Sequence, residues 1–278
     1  SYLYGSIDPN KSRINDHYKF RSLKNKFSIH TKTKFFDELT FGYINFNYNF
    51  FEVGESLEKI SGENTSLVHG KFLKKFKKSK IQLNINQKLN GKRVGNIFDL
   101  TFESLATNKF NYKLNFNSIQ SHPGLIYDIY QSDYDNISFN NNHKLSDIKS
   151  LDLKLYYEKF GNLNIGYSNI TNHFYLTVDS SQQNKLKPFI NQYDGNINYL
   201  KIRYNKEFKF GIFSLDNSII FQNVKQNEQV INLPKLLIRN TLYISEKVFK
   251  NVLDLQTGIS LKTFSKFYSN EYNPLLST

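Results

Sequence analysis

Apolar and polar residues alternate one by one through much of this chain. Residues 80–89 read KIQLNINQKL: Ile81, Leu83, Ile85 and Leu89 fall on one side, Gln82, Asn84, Asn86 and Lys88 on the other. Residues 109–118 repeat the pattern, with Phe110, Tyr112, Leu114 and Phe116 set against Asn111, Lys113, Asn115 and Asn117. It recurs with Phe98, Leu100 and Phe102 against Asp99, Thr101 and Glu103, and with Leu151, Leu153, Leu155 and Tyr157 against Asp152, Lys154 and Glu158. Near the C-terminus, Leu236, Ile238, Leu242 and Ile244 oppose Arg239, Thr241 and Ser245, and Leu253, Leu255, Ile259 and Leu261 oppose Asp254, Gln256, Ser260 and Lys262. Successive side chains of a strand point to opposite faces, so a period of two predicts strands with one apolar and one wet face. No segment holds a 3.6-residue period over a useful length, and the chain reads as all-β.

About twelve strands are predicted, over residues 26–34, 39–50, 66–75, 80–89, 96–106, 109–118, 149–158, 162–178, 196–206, 209–223, 234–245 and 251–263. Most reach ten residues or more, enough to cross a bilayer at the usual tilt, whereas strands of globular proteins are commonly about five or six long. The connections alternate in length. Short Lys- and Asn-bearing turns near 76–79, 107–108, 159–161, 206–208 and 246–250 interleave with longer polar stretches at 51–65, 90–95, 119–148, 179–195 and 224–233. Outer-membrane barrels have short turns on one side of the membrane and long loops on the other. The expectation is therefore an antiparallel up-and-down transmembrane β-barrel occupying residues 1–278 as one domain. Residues 1–25 are expected to form a lead-in or partial strand, and 264–278 an external loop.

Composition agrees with that picture. Mean hydropathy is −0.54 and no apolar run approaches 18 residues, which excludes a spanning helix but not a spanning barrel, where only every second residue need be apolar. Aromatics reach 16%, from 25 Phe and 19 Tyr. Pairs such as Phe35 and Phe36, Phe50 and Phe51, Phe72 and Phe76, Tyr156, Tyr157 and Phe160, and Phe264, Phe267 and Tyr268 sit near strand ends, as interfacial girdles require. The absence of Cys excludes disulfides, thiolate metal sites and a Cys nucleophile. The chain opens without a basic and apolar leader and contains no Met, so it is expected to be an internal or processed segment of a longer protein.

The net charge of +13 admits solvation, an anionic partner or nucleic acid. The run Lys71, Lys74, Lys75, Lys77, Lys78 and Lys80, with Phe72 and Phe76 among it, joins two alternating strands, so it reads as a boundary turn rather than a nucleic-acid patch. Residues on polar strand faces are the candidate pore liners: Lys88, Lys113, Asn115, Asn117, Lys154, Arg203, Arg239, Gln256 and Lys262. Facing a lumen, the cations among them would tilt a pore toward anions, with Asp99, Glu103, Glu158 and Asp254 offsetting part of that tilt.

The run from Leu233 to Leu276 resembles the late-barrel region of the porins of Bacteroidetes-type outer membranes. The resemblance rests on Leu233-Pro234, Arg239-Asn240, Leu242-Tyr243, Phe249-Lys250, Leu255-Gln256-Thr257-Gly258 and Tyr272-Asn273-Pro274, with Phe35-Phe36-Asp37-Glu38 and Gly70-Lys71-Phe72-Leu73 further back. It implies an outer-membrane barrel and a passive pore without catalytic residues. It also implies outer-membrane lipid and lipopolysaccharide, small polar solutes and the barrel-assembly machinery as partners, and no nucleic acid. The chain ends at Thr278, where members of that family continue with further strands, and the barrel is accordingly expected to be incomplete here.

Other chemistry is weakly signalled. His17, His30, His69, His122, His143 and His173 make no metal-binding pair and no HExxH. Gly70-Lys71 and Gly91-Lys92 lack the earlier glycine of a phosphate loop, and Ser146-Asp147-Ile148-Lys149 lacks the helix start its Ser-x-x-Lys spacing requires. Asp128, Asp133 and Asp135 could hold Ca²⁺ in a loop, although no EF-hand spacing supports it. The expectation is no enzyme, no cofactor and no metal. Three functions follow: a porin-like channel for passive diffusion of small hydrophilic solutes, a non-conducting structural or ligand-binding barrel, and a soluble all-β binding module.

Overall fold

The computed structural model describes residues 17–53, 57–104, 109–122, 143–179, 187–250 and 252–269. Within them lie fourteen strands and no helix: β1 (Tyr18–Thr31), β2 (Glu38–Val53), β3 (Leu57–Lys75), β4 (Ser79–Asn90), β5 (Val94–Ser104), β6 (Phe110–Ser121), β7 (Ser146–Tyr157), β8 (Gly161–Thr171), β9 (His173–Asp179), β10 (Lys187–Tyr193), β11 (Ile197–Phe210), β12 (Phe213–Lys225), β13 (Leu236–Val248) and β14 (Leu253–Phe264). Twelve of them form one antiparallel meander in the order β1 to β8, then β11 to β14, and β9 pairs with β10 as a separate hairpin. Every ladder is antiparallel between chain neighbours except that β8 pairs with β11. The sheet is thus an up-and-down sheet with one hairpin inserted between two of its strands.

The cross-strand register fixes the two faces, because residues directly opposite each other share a side of the sheet. Leu83, Leu100, Phe116, Leu151, Tyr167 and Leu200 form one continuous row on the apolar face. On the opposite face Gln82, Thr101, Asn115, Asp152, Gly166 and Lys201 form the matching row. Burial is inverted relative to a water-soluble sheet. Leu151 is 48% exposed and Phe116 40%, whereas Thr101 is 7% and Ser218 5%. Ser214, Gln222, Thr65 and His69, also on the polar face, are buried as well. Among the described residues no second sheet covers the apolar face, and side chains on the polar face of a single sheet are screened only if the sheet curls toward them. That is the arrangement of a membrane barrel.

The apolar face has the dimension of a bilayer. On β11 it runs outward from Leu200 to Phe210, ~33 Å along the strand and about 25 Å along the normal at a tilt of about 40°. Lys206 interrupts it but leaves the band, donating to the carbonyl of Lys159 at 2.7 Å in the β7–β8 turn, as a snorkelling lysine does. Around the turn ends of the strands stand exposed Phe35, Phe76, Phe110, Phe160, Phe210 and Phe249. Rings contact one another there, Phe110 with Tyr157 at 6.4 Å and Tyr157 with Phe160 at 5.3 Å. The turns are tight, and Gly211 opens one of them with φ +60°, a conformation costly for other residues.

Several expectations need correction. Residues 51–65 are not a long loop: they belong mostly to β2 and β3, whose hairpin runs on past the apolar band. Its outward positions there are Asn45, Asn47, Asn49 and Asn64, and Asn45 donates to Asn64 at 2.6 Å. The inward side of its β2 part is buried at Tyr48 and Phe50, but over 61–65 (SGENT) of β3 neither face carries an apolar residue, so the alternation that marks a strand disappears there. Likewise 90–95 shrinks to a connection over 91–93 between β4 and β5. The first strand expected, over 26–34, begins earlier, since β1 starts at Tyr18. The strand expected over 162–178 breaks at Asn172, which takes φ 53°, a left-handed turn that Asn tolerates. Phe50 does not join a girdle; it points to the polar side and stacks on Tyr18 at 5.3 Å. The candidate Ca²⁺ ligands Asp128, Asp133 and Asp135 lie outside the described residues.

Candidate pore-lining face

All the residues singled out as pore liners fall on the polar face. Lys113, Lys154, Asn164 and Arg203 form one cross-strand row through β6, β7, β8 and β11. Asn115 and Asn117 stand one and two rows nearer the loop end on β6, and Lys88 stands opposite Leu67 on β4. Arg239 and Lys262 are directly opposed on β13 and β14, and Gln256 faces Ser245 nearer the turn.

The face is held by short polar contacts. Asp99 accepts from Asn115 at 2.7 Å and from Asn84 at 3.0 Å, and Asn115 also donates to Thr101 at 2.9 Å. Glu103 sits between Lys80 at 2.6 Å and Lys113 at 3.4 Å. Glu38 pairs with Lys71 at 2.7 Å and Asp216 with Arg239 at 3.1 Å. Each links neighbouring strands or strands one apart, and charge-assisted hydrogen bonds of this length are the stronger kind. Lys154 has no carboxylate within 4.0 Å among the described residues, and the Arg203 guanidinium donates to Asn205 at 3.1 Å. Lys113, Lys154, Asn111, Asn162 and Asn164 line a recess of about 320 Å³.

Two features of this face have no counterpart in the alternation. The first is an isoleucine row near the loop end, Ile97, Ile119, Ile148, Ile170 and Ile197, one residue from each of five consecutive sheet strands. The second is what packs on its end. Tyr193 of β10 and Val230 of the β12–β13 connection bury Ile197 completely, with Ile170, Tyr175, Val224 and Ile231 around them. Ile170, Ile197 and Val224 belong to the polar face, so the β9–β10 hairpin and the 226–235 segment fold inward over it. Polar clips fix them. The Tyr193 hydroxyl accepts from the Asn227 amide at 3.0 Å, and Gln192 exchanges bonds with the Lys144 backbone at 3.1 and 2.9 Å. Gln226 and Ile231 close a second reciprocal pair at 2.9 and 3.1 Å. Burial holds His173 of the hairpin below the usual histidine range. Sequence alone leaves these residues hidden because each looks like an ordinary apolar or amide position.

At the loop end of β2–β5 a carboxylate does similar work. Glu63 accepts from the Tyr48 hydroxyl at 2.6 Å, from the Arg93 amide at 3.4 Å and from the Lys92 amide, tying the β4–β5 turn to β3.

A single curled antiparallel sheet, apolar outside, polar within and ringed by aromatics at its turns, defines an outer-membrane barrel protein. The Porin_10 family model, described as "Putative porin", matches residues 1–278, and the chain belongs to that family. No curated protein matches it. Among solved structures it is similar to a siderophore receptor PirA from Pseudomonas aeruginosa (TM-score 0.61, 9% identity, 90% of this chain and 49% of that one). It is also similar to PirA from Acinetobacter baumannii (0.58, 12%, 95% and 47%) and to the copper transporter OprC (0.57, 10%, 86% and 43%). At such identities the likeness is one of fold. The chain spans just under half the length of each of these proteins. The protein resides in the bacterial outer membrane, in contact with its lipid and lipopolysaccharide, and the soluble-module reading is set aside: an uncovered apolar face of this extent has no stable place in water.

Proposed function

We propose that the protein is a channel for passive diffusion of small hydrophilic solutes across the outer membrane, performing no chemical step. The observation that carries this reading is the polar face itself, a bilayer-high surface of Asn, Ser, Thr, Lys and Arg turned away from lipid. Lining a lumen is the role that such a surface fulfils in a barrel. The residues Lys88, Lys113, Asn115, Asn117, Lys154, Arg203, Arg239, Gln256 and Lys262 would then meet the passing solute. The inward-folded β9–β10 hairpin and 226–235 segment would narrow the loop end and set an upper size for it. Conductance of the full-length protein in planar bilayers tests the reading: discrete ohmic openings are expected, and a sealed barrel rejects it.

A second reading draws on the same loop-end cover. Gln222, Gln226, Phe264, Phe267 and Tyr268 line a recess of about 880 Å³, and the fold is shared with proteins titled as siderophore receptors and a copper transporter. Aromatic and amide groups together suit a bound ligand. A barrel that stays silent in bilayers yet retains a small polar ligand would favour this reading over the channel.

A further inference from the structure

The row Lys113, Lys154, Asn164 and Arg203 runs across four sheet strands and continues over β5 and β4 as Glu103 and Lys80, four cations against one carboxylate. Its charge is only partly offset. Glu103 lies 3.4 Å from Lys113, but that carboxylate is shared with Lys80 at 2.6 Å. Lys154 has no ion-pair partner among the described residues, and the Arg203 guanidinium is held by a neutral amide, Asn205, at 3.1 Å. The row nearer the turn adds Arg239 opposite Lys262, of which Arg239 alone is paired among the described residues, with Asp216. The row nearer the loop end carries Asp152 and Lys201, which offset each other formally. Amide groups flank two of the cations: Asn111, Asn162 and Asn164 line a recess of about 320 Å³ together with Lys113, Lys154 and the one carboxylate, Glu103.

The geometry points to an anion-selective band at this row, one that favours small solutes bearing a carboxylate or a phosphate. This inference rests on the channel reading given above and deepens it. Cations held on a polar wall backed by hydrocarbon focus the field into the lumen and raise the local concentration of anions. Arg203 supplies a planar donor fork suited to both oxyanions, Lys154 a point charge, and the asparagines neutral donors that do not repel an anion.

The test uses the full-length protein in planar bilayers under a tenfold KCl gradient. The zero-current potential of the wild type is expected to have the sign of chloride permeation. Lys154→Glu together with Arg203→Glu is expected to lower the anion-to-cation permeability ratio at least about threefold. The milder Lys154→Gln with Arg203→Gln pair, which keeps size and hydrogen bonding, is expected to give an intermediate ratio. Lys149→Glu, on the outward face of the same strand, is expected to change nothing. The wild-type preference is also expected to fade between 0.1 and 1 M salt, as the Debye length shrinks from about 10 to about 3 Å. Replacing chloride by inorganic phosphate or by acetate then separates the two oxyanion classes through their relative permeabilities. A conducting pore without preference, or a preference that both double variants leave unaltered, overturns this inference alone. A silent bilayer overturns the channel reading and this inference with it.

Discussion

Leu153 and Ser150 stand three residues apart on β7 but on opposite faces, and exchanging either for arginine tests the assignment of lipid and water. Leu153 points outward between Leu114 and Ile165, second of the four apolar outward residues that close β7. Arginine near the middle of the lipid face costs about 2–4 kcal/mol in a transmembrane barrel. That corresponds to roughly a 30- to 700-fold loss in the folding equilibrium. Ser150 points to the polar face between Asn117 and Ser168, where a guanidinium reaches water. Its replacement is expected to cost no more than about 0.5 kcal/mol, the usual range for surface changes. The assay is reversible urea unfolding of the full-length protein in lipid vesicles, followed by its heat-modifiable mobility on gels. Equal costs at the two positions would refute the face assignment. So would a greater cost at Ser150, and either result would remove the membrane orientation with it.

Other expectations follow from single contacts. Glu63→Ala withdraws the acceptor for the Tyr48 hydroxyl and for the Lys92 and Arg93 amides, and should destabilise the β4–β5 turn by about 2–3 kcal/mol, read as faster hydrogen exchange confined to residues 91–93. Gly91→Ala should be costly too, because φ is +99° and the added carbon would lie 2.3 Å from the Thr65 hydroxyl; a loss of about 1–3 kcal/mol in urea unfolding is expected. Tyr193→Phe deletes the acceptor for the Asn227 amide, and should loosen the 226–235 segment by about 1 kcal/mol, seen as noisier current through an otherwise unchanged conductance. Burial lowers the His173 value, so the folded hairpin binds a proton less readily than the unfolded one. Its stability should therefore be full above about pH 6.5 and decline as pH falls below that, a dependence that hydrogen exchange of β9 and β10 would report and His173→Gln would abolish.

The alternation determined a great deal unaided. Between Ile81 and Leu261 it distinguished the two faces of most strands, and every residue chosen from it as a pore liner lies on the polar side. The reason is that a strand crossing hydrocarbon with water on its other face must change solvent at each residue, and that requirement is written locally. Where the requirement lapses, so does the signal. The far part of β3 is strand, yet over 61–65 (SGENT) neither face carries an apolar residue, and nothing in the order of residues separates it from a loop. Only the tertiary structure decided what no local period encodes. It aligned Ile97, Ile119, Ile148, Ile170 and Ile197, and it turned the chain at Asn172 so that Tyr193 and Val230 close over the end of that row. It also decided which cations are neutralised: Lys113 and Arg239 find carboxylates, while Lys154 lies beside Asn164. Such pairings join residues brought together by register across strands, and register is a property of the assembled sheet rather than of any one segment.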